Sequence, residues 1–138
     1  MRIVDSSVVV PGVVGRFPRH DAALTILQRK PSISVHAAIE TYAVLTRLPE
    51  PYRVDPVTAA HVIESNFGDR VLPGLPPRSL VPWLRRMSER GIARGAIYDA
   101  LIAESARSAG GILVTADARA SATYRAVGVQ VEMLDELL

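Results

Sequence analysis

A chain of 138 residues with 49% apolar side chains can bury one sizeable core and has no room for a second. It contains no cysteine, which excludes disulfides, thiolate metal sites and a cysteine nucleophile together and fits a reducing, cytoplasmic setting. Fifteen arginines and one lysine, Lys30, face fourteen acids, and no apolar run approaches the ~20 residues that a bilayer crossing needs, so no membrane role is expected.

The elements are read in chain order. Arg2–Asp5 reads as a short strand, and the apolar stretch that follows is interrupted by Asp5 and Pro11 with no cleavage site, unlike a secretory signal. A helix is expected from about Pro18 to Gln28, with Pro18 suited to its first turn. Ile33–Val35 reads as a buried strand, and His36 to about Arg47 as a helix stopped before Pro49. Pro56 opens a further helix to about Asn66, and Arg70–Leu72 reads as a strand. Pro73-Gly74-Leu75-Pro76-Pro77 is the clearest loop, too short to divide two domains. Ser79 is then expected to cap a helix to about Arg90. Gly95 precedes a helix over Ala96–Ala109 that ends at Gly110-Gly111. Ile112–Val114 reads as a strand, Ala118–Ala126 as a helix and Val129–Met133 as a last strand. Strands alternating with helices predict an α/β fold, a parallel sheet covered on both faces, in one domain over residues 1–138.

Four acids stand where carboxylates are costly. Asp5 ends the first strand and is followed by Ser6-Ser7; Asp117 follows the Ile112–Val114 strand after Thr115. Singly, each reads as a turn residue or helix cap. Two strands ending alike, each beside a hydroxyl, point to the carboxyl end of a parallel sheet, where α/β folds bind ligands. Glu40 has Ala37, Ala43 and Val44 as its helical neighbours, and Asp99 has Ile102, Ala103 and Ala106, so both share apolar faces. Glu104 and Arg107 lie on the other side and read as a solvated face. A carboxylate on a buried stripe is unfavourable unless paired or bound to metal. For Asp99 the competing reading is service to the free N–H groups of the first turn; Glu40, four residues into its helix, has no such use.

With no cysteine and no evident histidine ligand, four carboxylates make a hard, all-oxygen site that selects Mg²⁺ or Mn²⁺ over zinc. Such a site suits phosphodiester hydrolysis. If the four acids gather, sixteen cationic side chains face the remaining ten acids, an excess of six that attracts nucleic acid. Arginine's planar fork suits phosphate, although genomic base composition accounts equally well for its abundance.

At these residues the chain resembles the VapC ribonucleases, PIN-domain toxins of type II toxin–antitoxin pairs. The resemblance lies in Val4-Asp5-Ser6-Ser7, the Glu40 helix running into Leu45-Thr46-Arg47-Leu48-Pro49, Ile97-Tyr98-Asp99-Ala100-Leu101-Ile102-Ala103, Leu113-Val114-Thr115-Ala116-Asp117 and Thr123-Tyr124-Arg125-Ala126-Val127-Gly128-Val129. One such motif is weak evidence; the ordered set spans the chain. The resemblance implies a PIN-like three-layer fold with about five parallel strands and the acids at one edge of their carboxyl end. It implies Mg²⁺-dependent cleavage of structured RNA, tRNA or rRNA, with Mn²⁺ as a substitute, a homodimer, and inhibition by a VapB-type antitoxin. Position by position, Asp5, Glu40, Asp99 and Asp117 match the catalytic, metal-binding quartet, and Ser6 and Thr115 match supporting hydroxyls. Arg119 departs from relatives with a further acid there, which bears on a second metal.

His20, His36 and His61 have no spacing for zinc and read as surface or helix-start residues. Ser6-Ser7 lacks a nucleophile elbow, and the glycines punctuate helices rather than cradle phosphate. Arg85, Arg86, Arg90 and Arg94, with Trp83, form either a solvated helix surface or an RNA-phosphate track beside the acids, with Trp83 in the core or stacked on a base. An aspartyl phosphatase needs a second Asp where Ser7 stands, and a receiver domain needs a late lysine that is absent. A PIN module that binds RNA or protein without cutting is the remaining alternative.

Overall fold

The computed structural model describes residues 1–137. Its strands are β1 (Arg2–Val4), β2 (Ser32–Ser34), β3 (Val71–Leu72), β4 (Ile112–Thr115) and β5 (Gln130–Met133). Its helices are α1 (Ser6–Val13), α2 (His20–Gln28), α3 (Val35–Arg47), α4 (Pro56–Phe67), α5 (Leu80–Glu89), α6 (Ala96–Ser108) and α7 (Ala118–Val127). All strand pairs are parallel, in the order β3-β2-β1-β4-β5. The chain therefore starts at the centre, moves outward through β2 and β3, then returns to the other side of β1. Right-handed crossovers place α1 to α4 on one face and α5 to α7 on the other. The packing agrees: α1 lies against α2 and α3, α3 against α4, and α6 against α7. This is the expected three-layer α/β architecture.

The core forms where strand side chains meet both helical layers. Ile3, Val4, Ile33, Leu113 and Val114 are buried from the sheet, with Val8, Val9, Ile26, Ile102 and Tyr124 from the helices. Burying each large aliphatic chain contributes roughly 1.5–3 kcal/mol. Gly12 lets α1 and α2 touch, because a Cβ there would lie 2.5 Å from Leu27 Cδ1. Gly128 closes α7 in the left-handed conformation at φ 102°, which favours glycine. No helix among the described residues is long and apolar enough to cross a membrane.

Several sequence expectations need correction. The sequence does not predict α1: its β-branched run Val8–Val10 and internal Pro11 are poor helix formers. Burial of Val8, Val9, Val10 and Pro11, with Asp5 as N-cap, overrides that preference. Ser79 does not cap α5 by its side chain; it ends a 3₁₀ turn over Pro77–Ser79 that leads straight into the helix. Glu104 is not on a solvated face but is buried, clamped by Arg107 through hydrogen bonds of 2.6 and 3.1 Å. Trp83 lies in the core, so it is not free to stack on a base.

Candidate active site

Strand order decides which acids meet. β1 and β4 are hydrogen-bonded neighbours with Val4 opposite Val114, so Asp5 and Thr115 leave the sheet side by side. The connection reverses direction here, the position at which open α/β sheets bind ligands. The acids therefore stand over the middle of the sheet's carboxyl end and not at an edge strand.

Asp5 is 3% exposed and uses both carboxylate oxygens fully. Oδ1 accepts from the Ser7 amide at 3.0 Å and the Ser7 hydroxyl at 2.5 Å; Oδ2 accepts from Thr115 at 2.6 Å and Tyr124 at 2.8 Å. The supporting hydroxyls are themselves held, Ser7 Oγ by the Ala116 amide at 2.8 Å and Thr115 Oγ1 by the Asp117 amide at 3.1 Å. Burial raises the Asp5 carboxyl above its usual range; the three hydroxyls oppose that shift and the charge of Glu40 adds to it.

The other three acids are more open. Glu40, half-buried on α3, accepts the Ser6 hydroxyl, so Ser6 ties α1 to α3 at the site. Asp117 is the N-cap of α7, its Oδ1 accepting the amides of Arg119 at 3.0 Å and Ala120 at 3.1 Å. The cap reading thus holds for Asp5 and Asp117. It does not hold for Asp99, because no side chain caps α6. Burial raises the Asp99 carboxyl; Arg119 opposes the shift, while Glu40, Asp117 and Asp5 reinforce it. All four acids therefore share one electrostatic neighbourhood. None forms a salt bridge among the described residues. Nor, as the side chains lie, do three acids or histidines among those residues close around a single point that could hold a metal.

Two neighbouring clefts complete the site. One, of about 310 Å³, is lined by His36, Ile39, Glu40, Tyr98, Asp99 and Arg119. Another, of about 260 Å³, has Val10, Pro11, Phe17 and Val44 as its apolar wall and reaches Ser6, Ser7 and Ala116.

The PIN domain family model matches residues 2–126. Ribonuclease VapC40 of Mycobacterium tuberculosis is 40% identical over 134 residues, covering 94% of this chain and 96% of the relative. The chain belongs to the VapC family of PIN-domain ribonucleases. Ribonuclease VapC27 of Mycobacterium tuberculosis is 38% identical over 129 residues, covering 93% of each chain. Solved structures share the fold at lower identity. The Neisseria gonorrhoeae FitAcB structure has a TM-score of 0.70 at 18% identity, covering 99% of this chain and 100% of that one. The structure of Mycobacterium tuberculosis VapC20, described as a sarcin-ricin loop cleaving toxin, has a TM-score of 0.63 at 22% identity, covering 88% and 94%.

Within this VapC frame, two residues matter at the site that sequence reasoning does not single out. Ser7 is no nucleophile, yet it supports Asp5. Tyr124 stands in the last of the VapC-like motifs, where nothing in the sequence assigns it a role. The alternation of a strand end with paired hydroxyls is the available signal for Ser7. Arg86 on α5 and Arg90 at its C-cap are exposed, in line with the solvated helix surface that is one of the two readings for them. They share a cleft with Glu104, Arg107 and Val127, at the far ends of the helices that Asp99 and Asp117 begin. Arg107 is eight positions beyond Asp99, ~12 Å along the helix. Arg86 and Arg90 therefore stand at the end of α6 remote from Asp99. His20 Nδ1 donates to the Pro11 carbonyl at 2.7 Å at the start of α2, and His61 is exposed on α4.

Proposed function

We propose that this chain is a Mg²⁺-dependent endoribonuclease toxin, one PIN domain over residues 1–138. In this reading it acts in the cytoplasm on structured RNA such as tRNA or rRNA and is neutralised by a VapB-type antitoxin. The observation that carries the proposal is the set of four carboxylates around the β1–β4 switch point, unmatched by any salt bridge among the described residues.

The donor chemistry fits a divalent cation. Glu40, Asp99 and Asp117 offer hard oxygens, and mutual repulsion at Asp99 leaves negative charge for a cation to neutralise. Mg²⁺ keeps several waters and needs only one or two carboxylates, so it does not require three acids to close on one point. Glu40 and Asp99, which line the same open cleft, are the residues that would hold it, with Asp117 alongside and Mn²⁺ as a substitute. Asp5, whose oxygens already accept four hydrogen bonds, fixes the Ser7 and Thr115 hydroxyls and adds charge. When bound, the ion supplies Lewis-acid polarisation of the phosphoryl group and a more acidic water. Ser6 orients Glu40 through its hydroxyl.

The apolar cleft of Val10, Pro11, Phe17 and Val44 fits an antitoxin segment whose basic side chain points toward the acids. Exposed Leu80, Val81 and Leu84 on α5 suit a homodimer interface. The decisive measurement is cleavage of RNA by the purified chain with and without chelator. EDTA should abolish cleavage and Mg²⁺ or Mn²⁺ restore it; cleavage that persists after complete chelation rejects the mechanism.

A further inference from the structure

The rings of His36 and Tyr98 lie parallel, with centroids 5.4 Å apart and planes 5° from each other. They come from different helices, α3 and α6, and stand one helical turn before Glu40 and one residue before Asp99. Core packing does not account for this pair, since Tyr98 is 56% exposed and the adjoining Ile39 is 61% exposed. Both rings instead wall the open cleft of about 310 Å³ that also holds Glu40, Asp99 and Arg119. Arg119 stands in the first turn of α7 and is the cation whose charge reaches Asp99, yet it forms no salt bridge among the described residues.

We infer that this cleft seats one unpaired nucleobase, stacked on the Tyr98–His36 pair, while Arg119 binds a phosphate next to the scissile bond. The inference rests on the ribonuclease reading and adds to it a seat for the base beside the cut and a cation for the adjoining phosphate. Three features favour it. A flat aromatic surface beside the acids offers every base a π face, whereas a base inside a duplex is already stacked on both sides. The exposed ring is preorganised, because His36 backs it and limits its rotation. A guanidinium can take two phosphate oxygens at once, which sets the backbone relative to Glu40 and Asp99. Tyr98 and His36 are positioning residues in this scheme; neither touches the reacting phosphorus.

The test uses the full chain and a hairpin oligoribonucleotide with a fluorescent purine analogue in its loop. In metal-free protein, stacking should quench the analogue for wild type and Tyr98→Phe. Tyr98→Leu should lose the quench and bind about tenfold more weakly. With metal present, kcat/KM for wild type should fall by a similar factor when the loop nucleotide is made abasic, whereas Tyr98→Leu should treat the two substrates alike. Arg119→Gln should flatten the salt dependence of binding by about one phosphate's worth of counterion release. A Tyr98→Leu protein that still prefers the intact base overturns the inference and leaves the ribonuclease reading standing. Wild type that neither binds nor cleaves RNA overturns both. Dissociation of a dimer by Tyr98→Leu, with RNA discrimination intact, assigns the cleft to a second copy of the chain and overturns the inference.

Discussion

The hydroxyl of Tyr124 donates to Oδ2 of Asp5 across 2.8 Å, joining the last helix to the end of the first strand. Burial, and then the charge of Asp5, raise the phenol far above its ordinary range, so it stays a neutral donor. Removing that hydroxyl leaves a buried carboxylate with three donors in place of four. Tyr124→Phe should lower stability by about 1.5–3 kcal/mol, the usual worth of a hydrogen bond to a charged group. Urea unfolding at neutral pH measures it. A variant as stable as wild type would show that the bond is not formed in solution.

Asp99 separates function from stability. Its folded pKa is raised above the unfolded value near 3.8, chiefly by burial. The folded state therefore holds more protons between those two values, and the metal-free protein gains stability as pH falls through that window. Above it, where both states are ionised, the strain of the buried charge is fully present. Asp99→Asn deletes that charge and keeps the shape. Expected are near-complete loss of cleavage, a Tm in EDTA at or above wild type at neutral pH, and weaker stabilisation by Mg²⁺. A much lower Tm in EDTA would mark Asp99 as a structural residue.

The arginines on α5 make a separate prediction. Arg86 and Arg90 face a cleft remote from the acids, so a substrate that reaches both must extend over the molecule. Replacing Arg85, Arg86 and Arg90 with Ala should weaken binding of a long structured RNA and reduce its salt slope by about one for each phosphate no longer neutralised. A short loop oligonucleotide should bind as before. An unchanged slope with the long RNA would return these residues to the solvated surface.

The apolar cleft gives a fourth. Val44 lines it from α3, facing Phe17 and Pro11 from the α1 side. Coexpressed with its antitoxin, Val44→Asp should fail to copurify with it while the free toxin still cleaves RNA. Retention of the complex with undiminished affinity would move the antitoxin to another surface.

The sequence carries the site more clearly than the frame that holds it. Asp5, Glu40, Asp99 and Asp117 are legible because each breaks an apolar pattern, and a charge in such a place needs a reason. The helix opened by Pro56, the cap at Asp117 and the stop of α6 before Gly110-Gly111 are equally plain. α1 is not, since valines and an internal proline argue locally against a helix that only burial makes favourable. The burial of Glu104 and the remoteness of Arg86 depend on how α5 lies on α6 and α7, which no periodicity within one helix encodes. The role of Tyr124 likewise arises from a hydrogen bond between the two ends of the chain.

Strand order has one more consequence. The four acids come from residues 5, 40, 99 and 117, and among the described residues no side chain between Pro49 and Arg94 bonds any of them. That stretch forms α4, the short outer strand β3 and α5; α5 rests on the far ends of α6 and α7, away from the acids. Phe67, Trp83 and Met87 tie the stretch to the core, but its exposed positions, such as Val57, Val81 and Leu84, can change without touching an acid. A lineage, or a designer, can thus rewrite which molecules this scaffold grips through the surface of its middle third while leaving the four acids where they stand.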